Sequence, residues 1–341
     1  MPFKVAMVLV GCLSFAALSC VKGGSPGTPP VAVKRTQMHM GTLVSITAVG
    51  QTQAEANAAV TAGFEEVKRL ELLLSTWIPD SELSRVNAAA GRSAVTVSAE
   101  TMTVVRKSLQ VAELTDGAFN IAIGPAVDAW SISTEPRLPT AEELDALKPL
   151  VDLQSVHTDV WERSIHLQKP GMRIDVGGIG KGYAADQAVL VMRKAGAVAG
   201  VVALSGDIKT FGRLSDGEAF PVGIRHPRKE NEILAQVTLQ DEAISTAGDY
   251  ERFFEKDGVR YHHILDPQTL QPARGCQSVS VIAKEGIWAD GLDTGIFVLG
   301  AKRGMELVEQ LENVEAIIVD DVGRVLISSG LRDRVVLASD H

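Results

Sequence analysis

Three oxygen-bearing side chains lie close together at the start of an apolar stretch late in the chain. Asp290, Asp293 and Thr294 belong to ADGLDTGIFVLG, residues 289–300. In an α-helix, side chains three and four positions apart share a face, so these oxygens would converge on one point. Converging oxygens of this kind suit Mg²⁺ or Ca²⁺. The alternative is helix capping, with Asp290 as the N-cap and Asp293 in the reciprocal position, and the segment alone does not decide between the two.

A glycine-rich loop in the middle of the chain is the second candidate. GGIGKG, residues 177–182, opens a helical pattern. Backbone N–H groups at a helix N-terminus, with the Lys181 amine beside them, suit a phosphate group. Neither common nucleotide-binding signature fits, because Gly182 replaces the Ser or Thr of a Walker A loop and Tyr183 replaces the third glycine of a Rossmann loop. A tight turn between strand and helix explains the same residues.

Two histidines and a tryptophan are further candidates, and each has a simple packing alternative. His262 and His263, in YHHILDP, could ligate a metal, act as a base or pack in the core. Because adjacent residues of a strand face opposite ways, at most one of the pair should enter a given site. Trp77 ends a helical pattern just before a proline turn, where its ring could stack on a flat ligand or close the core.

The composition is that of an ordinary globular protein. The chain has 341 residues, 45% of them apolar and 22% charged, which is enough for one large or two medium domains. Its formal net charge of −9 argues against general attraction to nucleic acid, which requires a basic surface. An anionic substrate would therefore need a local positive site or a metal ion.

The N-terminal residues predict export and membrane anchoring. Residues 1–19 contain an apolar stretch that is too short to span a bilayer and is typical of a signal peptide. Cys20 follows it as in a bacterial lipobox, although an imperfect match leaves a plain soluble signal peptide as an alternative. Residues 20–34 would then be a lipidated cysteine and flexible tether, holding a domain of residues 35–341 on the periplasmic side of the cell envelope. Only Cys276 would remain in that domain, so no internal disulfide is expected.

Strand and helix patterns interleave after the tether, with several adjacent hairpins. Residues 54–77 and 99–114 have helical periodicity, whereas residues 200–212 predict a strand, a turn and a second strand. Residues 164–176 predict two strands joined by a Pro-Gly turn. This order favours an α+β fold over a purely parallel sheet. One two-lobed unit is expected, because no second linker interrupts the chain.

Eight short blocks, taken in order, resemble the signatures of a known family. They are MGT from residue 40, STW-PDSELSRVN from 75, DGAFN-A-GP from 116, IDVGGIGKGYAADQA from 174, LSGDI from 204, ISTAGDYERFF from 244, YHHILDP from 261 and ADGLDTGIFVLG from 289. In these blocks the chain is similar to the ApbE family of FAD:protein FMN transferases, and the resemblance covers nearly all of the chain after residue 36.

The resemblance implies an α+β fold with mixed or antiparallel sheets flanked by helices, FAD bound between two lobes, and dependence on Mg²⁺. By matching position, it favours metal ligation over capping, through Asp290, Asp293, Thr294 and the backbone carbonyl of Gly178. It implies catalytic roles for Lys181, Asp290 and His263, the last as a candidate base. The implied FAD contacts are Met40, Trp77, Ala118, Phe119, Asn120, Asp175, Lys181 and Ile264.

The implied reaction moves FMN onto a protein. A Thr or Ser hydroxyl of an exported acceptor, of the electron-transport subunit type, would attack the FMN-side phosphorus of FAD and release AMP. Mg²⁺ would offset the negative charge of the pyrophosphate. Two alternatives use the same residues: a Mg²⁺-dependent FAD pyrophosphatase that gives FMN and AMP, and a lipid-anchored FAD-binding protein without activity.

Overall fold

The computed structural model describes residues 30–214 and 217–338, and half of its strands belong to one large sheet. The strands are β1 Val31–His39, β2 Thr42–Gly50, β3 Val95–Thr96, β4 Val156–Asp159, β5 Ser164–Leu167, β6 Ala199–Leu204, β7 Asp207–Phe211, β8 Phe220–Arg225, β9 Ile233–Leu239, β10 Ala243–Gly248, β11 Phe253–Lys256, β12 Val259–His262, β13 Cys276–Ala283, β14 Val314–Asp320, β15 Val325–Ile327 and β16 Val335–Leu337.

The helices lie between the strands in sequence. They are α1 Gln53–Leu74, α2 Glu82–Ala88, α3 Ala99–Leu114, α4 Gly124–Trp130, α5 Ala141–Leu147, α6 Gly180–Lys194, α7 Gly286–Leu299 and α8 Ala301–Val308. Short 3-10 turns occur at Ile121–Ile123, Lys148–Leu150, Leu153–Ser155 and Ser329–Leu331.

The large sheet has eight strands in the order β1-β2-β6-β7-β10-β13-β14-β15. Every neighbouring pair in it is antiparallel. Three smaller sheets, β16-β9-β8, β3-β5-β4 and β11-β12, surround it. The sheet connects strands that are far apart in sequence, so it can bring β7, β10 and the helix after β13 to one place.

Local sequence explains the elements that build the framework. In β2, Val44, Ile46 and Ala48 are fully buried at alternating positions, as a strand with one face on the core requires. Helix α1 begins with a capping box in which Thr52 accepts from the Glu55 N–H at 3.2 Å and Glu55 accepts from the Thr52 N–H at 3.1 Å. A pair of this kind satisfies two of the free N–H groups at a helix start.

The two faces of the large sheet have different partners. Helices α1, α6 and α7 pack on one face and form the main core with it. The small sheet β16-β9-β8 covers the other face, where Ile244, Ile282 and Ile317 join a second core. Because side chains alternate along β10, Ser245 points away from the face of Ile244 and towards the helices. The strand therefore presents a hydroxyl to α7.

The α+β prediction is confirmed, and the helix at 99–114 and the hairpin within 200–212 are found as expected. The second strand predicted in residues 164–176 is wrong. The backbone of Ile174 bonds to a side chain instead of a neighbouring strand, since its N–H donates to Asn87 Oδ1 at 2.8 Å and its carbonyl accepts from Asn87 Nδ2 at 2.9 Å.

The boundary of the predicted tether also changes. Strand β1 begins at Val31, so the last residues of the range 20–34 are part of the large sheet rather than a linker. The predicted signal peptide and Cys20 lie outside the described residues. Among residues 30–214 and 217–338, no helix is both long and apolar enough to cross a membrane. In that part of the chain Cys276 is a buried free thiol, as expected, and burial raises its pKa to about 12.

Candidate active site

Two helices cross at a pair of glycines and define the centre of the site. A Cβ atom at Gly182 of α6 would lie 2.1 Å from the carbonyl oxygen of Gly286 at the start of α7. A Cβ atom at Gly286 would in turn lie 2.6 Å from the carbonyl oxygen of Gly182. Backbone contact this close excludes any side chain. Gly182, which breaks the Walker A pattern, is therefore explained by helix packing.

Each of the two helices caps the N-terminus of the other. Asp290 Oδ2 accepts from the Gly182 N–H at 2.8 Å, near the start of α6. Asp186 of α6 accepts from the N–H groups of Gly286 at 2.8 Å and Ile287 at 3.0 Å, at the start of α7. These carboxylates satisfy N–H groups that have no partner within their own helix and complement the positive end of its dipole.

The alternative in which Asp290 is the N-cap of its own helix is therefore excluded. Helix α7 begins at Gly286, with Glu285 as an N-cap that makes no side-chain cap bond. Asp290 and Asp293 thus lie inside the helix, and Asp290 caps α6 instead. Its second oxygen, Oδ1, remains directed at the cluster described next and lies 3.9 Å from Lys181 Nζ.

Three buried carboxylates converge beside this crossing. Asp207, Asp290 and Asp293 each place one carboxylate oxygen within 4.8 Å of the others, and each residue is 2–3% exposed. Asp290 and Asp293 share a face of α7, as their spacing predicts. Asp207 is the first residue of β7 and follows a tight turn at Ser205, whose φ is 58°. The cluster thus joins a helix to the large sheet.

Positive charge within the cluster is smaller than its negative charge. Lys181, the second residue of α6, pairs closely with Asp207 and lies 3.9 Å from Asp290. One ammonium faces three carboxylates, which would leave two negative charges uncompensated if all were ionised. Burying unpaired charge is costly, so the group must take up protons or bind a cation.

The contacts of Ser245 also show that the cluster lacks a proton or a cation. Its hydroxyl lies 2.7 Å from Asp293 Oδ2 and also contacts Asp207 Oδ1. A hydroxyl has one proton and can donate to only one of these oxygens. The contact between the Ser245 oxygen and the second carboxylate oxygen therefore needs a proton on that carboxylate or a cation that bridges the two oxygens.

The pKa shifts follow from this arrangement. Burial, with the charge of Asp207 added, raises the pKa of Asp290 to about 7 against the opposing effect of Lys181. Burial and the charges of Asp290 and Asp207 raise the pKa of Asp293 well above its usual value. Burial alone would lower the pKa of Lys181, but the neighbouring carboxylates outweigh it, so the ammonium stays protonated.

These residues fit a divalent cation. Hard carboxylate and hydroxyl oxygens are the ligands that Mg²⁺ and Ca²⁺ prefer, and the uncompensated charge would be neutralised by such an ion. Thr294 lies beside the carboxylates, donating to Asp293 Oδ1 at 3.1 Å. The Gly178 loop reaches the same hydroxyl, since a Cβ atom at Gly178 would lie 3.0 Å from Thr294 Oγ1. The structure thus places Asp290, Asp293 and Thr294 together with Gly178 beside Thr294, and their role as metal ligands stays a prediction.

Several of the predicted FAD contacts surround the start of α6. A Cβ atom at Gly180 would lie 3.9 Å from the Met40 side chain, which is held in the β1–β2 turn with a φ of 50°. Asp175 accepts from the Gly177 N–H at 2.7 Å and so shapes the glycine loop. Lys181 has a side chain that is 20% exposed and faces the carboxylates.

The segment Ala118–Asn120 lies on the other side of the glycine loop. Phe119 is 3% exposed, and its ring would lie 3.4 Å from a Cβ atom at Gly178, so its side chain belongs to the core. Asn120 Oδ1 accepts from the Ala122 N–H at 2.8 Å and caps a 3-10 turn. Ala118 is half-buried. Any flavin contact made by Phe119 would therefore use its backbone.

The two histidines have different environments, as strand alternation predicts. His262 ends β12, is 1% exposed, donates from Nε2 to the Ala273 carbonyl at 2.8 Å and packs edge-on against Phe297. His263 is half-buried and makes a 3.3 Å contact from Nδ1 to the Arg252 carbonyl. Because a carbonyl only accepts, Nδ1 carries the proton and the Nε2 lone pair is free. Desolvation lowers the pKa of His263 to about 3, with Arg252 and the more distant Lys181 adding to the effect.

Ile264 and Trp77 complete the predicted set. Ile264 is 5% exposed and belongs to the main core, with its carbonyl accepting from the Ala273 N–H at 2.9 Å. Trp77 follows α1 and is 69% exposed, so it does not close the core. An exposed ring at this position stays available to a flat ligand, and its flavin contact remains a prediction.

Sequence reasoning missed two residues of the cluster. Asp207 lies in LSGDI and Ser245 in ISTAGDYERFF, both of which were recognised as blocks without a role for these side chains. An acid directly after a Ser-Gly turn was the available signal for Asp207. Nothing in the local pattern of β10 distinguishes Ser245 from Thr246, because only the packing of the sheet decides which side chain faces α7.

Known proteins resemble this chain over most of its length. The ApbE family model matches residues 40–318. A FAD:protein FMN transferase of Salmonella typhimurium is 33% identical over 319 residues, covering 90% of this chain and 91% of the relative. One from Escherichia coli is 36% identical over 245 residues, covering 70% of each chain.

Solved structures have the same fold. The flavin transferase ApbE of Vibrio cholerae superposes with a TM-score of 0.81 at 30% identity, over 90% of this chain and 100% of that one. The ApbE protein of Thermotoga maritima gives a TM-score of 0.82 at 30% identity, over 89% of this chain and 99% of that one. The large antiparallel sheet flanked by helices is thus shared with these proteins.

Proposed function

The chain belongs to the ApbE family and is a FAD:protein FMN transferase, and we propose that it transfers FMN from FAD to a Thr or Ser hydroxyl of an acceptor protein. The reaction joins the FMN phosphate to the hydroxyl oxygen, breaks the pyrophosphate and releases AMP. The observation that supports this most directly is the buried cluster of Asp207, Asp290 and Asp293, in which one ammonium faces three carboxylates.

We propose that the cluster, with Thr294 and the Gly178 carbonyl, holds Mg²⁺. When bound, such an ion offsets the charge of phosphate oxygens and makes the phosphorus more open to attack. A protein that only stored flavin would gain nothing from burying three carboxylates, because an unfilled site of this kind destabilises the fold. The charge deficit therefore favours a phosphoryl-transfer site over a simple binding site.

The residues of α6 would bind and orient the phosphates. The positive end of its helix dipole attracts anions. The N–H groups of Gly177, Gly180 and Gly182 already have acceptors within the chain, so the attraction comes from charge rather than from these amides. Lys181 remains protonated beside this end of the helix and adds a point charge. Because Asp290 caps the same helix, the orientation of the loop is fixed relative to the carboxylates.

His263 would accept the proton of the attacking hydroxyl. It is neutral above a pH of about 3, and its Nε2 lone pair is free because Nδ1 donates to the Arg252 carbonyl. A base of such low pKa is weaker than one tuned to the operating pH, so its contribution to the rate is expected at the low end of the roughly 10²–10⁴-fold range of general bases. Its partial exposure allows an acceptor protein to approach.

The transfer is tested by incubating the protein with FAD, Mg²⁺ and an acceptor domain that carries a candidate Thr or Ser. A fluorescent acceptor band that survives denaturing electrophoresis, with the mass of FMN added, is the expected result. Asp293→Asn should abolish the band, and the exposed Asp145→Asn variant serves as the matched control. Release of AMP at the same rate with and without acceptor would contradict the transfer and favour FAD hydrolysis.

We further propose that the protein is exported and anchored through a lipid on Cys20, on the periplasmic side of the cell envelope. The support is the sequence of residues 1–34, of which residues 1–29 lie outside the described part of the chain. Cys20→Ser should move the protein from the membrane fraction to the soluble fraction. An unchanged membrane fraction would contradict the anchor.

A further inference from the structure

A cavity lies on the outer surface of α3, where the turn between β4 and β5 faces the helix. Its volume is about 320 Å³, a size that accepts a small molecule or a headgroup. The helix contributes six residues spaced three or four apart, so they form one continuous face, and the turn contributes two. The lining residues are Ala99, Met102, Thr103, Arg106, Lys107, Gln110, Val160 and Arg163.

The lining contains three cations and no acid. Among the described residues, Arg106 and Arg163 have neither a hydrogen bond nor an ion pair from their guanidinium groups. Lys107 lies over the ring of Trp288, 4.2 Å from its centroid. The charge of Arg163 helps to lower the pKa of Glu100, but this carboxylate is already paired with Arg69 at 2.8 Å. Arg163 therefore shares its acidic neighbour with Arg69, and no ion pair joins Arg106 or Lys107 to an acid in the described part of the chain.

An anion in the cavity would be attracted by all three cations at once. Like charges that face one space repel each other, and the chain as a whole carries a net charge of −9, so a concentration of unpaired cations is not a general property of its surface. Ala99, the first residue of the 16-residue helix α3, also lines the cavity, and the positive end of the helix dipole adds to the field.

We propose that this cavity binds a phosphate group. Two guanidinium groups and one ammonium match the oxygens of a phosphate, which arginine binds in a bidentate manner. The phosphate could belong to a soluble phosphorylated compound or to the headgroup of an anionic phospholipid. The site is separate from the acidic cluster, and the proposal does not depend on the transfer reaction.

The turn beside the cavity carries a feature that a lipid would use. Trp161 is 95% exposed and Val160 is 46% exposed, in a turn whose amides are held by the Asp159 carboxylate. Tryptophan is favoured at the boundary between headgroups and hydrocarbon. Glu162 of the same turn does not line the cavity.

Titration calorimetry with inorganic pyrophosphate tests the proposal. The buffer contains EDTA, so that no metal recruits the probe to the acidic cluster. Saturable binding is expected, and Arg106→Ala and Arg163→Ala should each weaken it about tenfold, as loss of one charge-assisted contact does. Arg303→Ala, which removes an arginine that is 61% exposed and lies outside the lining, should leave binding unchanged. Binding that is absent, or equal in all variants, would overturn the proposal.

Vesicles distinguish the two sources of phosphate. The Cys20→Ser variant, which lacks the proposed lipid anchor, is mixed with vesicles of phosphatidylglycerol or of phosphatidylcholine, and co-sedimentation and tryptophan emission are recorded. Binding to phosphatidylglycerol alone, displaced by pyrophosphate and lost in Arg106→Glu, identifies a lipid headgroup. Binding of pyrophosphate without binding to either vesicle identifies a soluble ligand. Failure of both probes, in protein whose flavin transfer is intact, overturns this proposal and leaves the proposed function standing.

Discussion

The carboxylate of Asp290 and the backbone amide of Gly182 join the two helices that build the site, through a hydrogen bond of 2.8 Å. One oxygen of Asp290 fixes the start of α6, which carries Lys181, and the other faces the acidic cluster. Substitutions in the acidic cluster are therefore expected to alter the position of the glycine loop.

Gly182→Ala should destabilise the protein and abolish transfer, because the new methyl group would lie 2.1 Å from the Gly286 carbonyl oxygen. Overpacking of this kind costs about 1–3 kcal/mol or more. Gly180→Ala, two residues earlier in the same helix, is the matched control, since its methyl group would meet no atom closer than 3.6 Å. Urea unfolding measures both. Equal stability of the two variants would contradict the helix crossing.

Asp293→Asn should remove the stabilisation that Mg²⁺ gives without lowering the stability of the metal-free protein. The substitution deletes one buried negative charge from a cluster that has too many, so only the metal-bound form loses an interaction. Thermal unfolding with EDTA and with Mg²⁺ checks this, with Asp145→Asn as the exposed control. A large loss of stability in EDTA would mean that Asp293 acts only as a structural hydrogen-bond partner.

The contribution of Asp290 to the stability of the metal-free protein should fall as the pH rises from about 4 to about 7. Asp290 has its pKa raised from 3.8 to about 7 by folding, so the folded state binds more protons than the unfolded state in that range. The extra stability is present at low pH and is lost as Asp290 ionises. Mg²⁺ should therefore stabilise the protein more at pH 8 than at pH 5.5. Urea unfolding at both pH values, with and without Mg²⁺, measures the difference; the opposite order would contradict it.

His263→Gln should lower the rate of transfer by about 10²-fold or more if the residue accepts the hydroxyl proton. Binding of FAD, measured by quenching of its fluorescence, should change little. Because the pKa of His263 is lowered to about 3, the rate of the unmodified enzyme should show no inflexion near pH 6.5 from this residue. His262→Gln is the comparison, and it should reduce stability, since His262 is 1% exposed in the core. Equal rates for His263→Gln and the unmodified enzyme would exclude His263 as the base.

The sequence alone determined the class of fold and much of the site. Period-two and helical patterns located β2, α3 and the β6–β7 hairpin, because these elements bury one face and their local spacing records it. The i, i+3, i+4 spacing on α7 brought Asp290, Asp293 and Thr294 onto one face for the same reason. Ordered blocks along the chain then identified the family.

Only the tertiary structure decided which groups complete the cluster and which helix each acid caps. Asp207 and Ser245 are far from α7 in sequence, and they reach it because the antiparallel sheet places β7 and β10 side by side under the helix. Gly182 is required because the backbone of Gly286 packs against it. The same close packing of α6 and α7 lets Asp290 cap the N-terminus of α6. Contacts between distant segments leave no periodic trace in a single sequence, so the charge balance of the site could be read only from the folded chain.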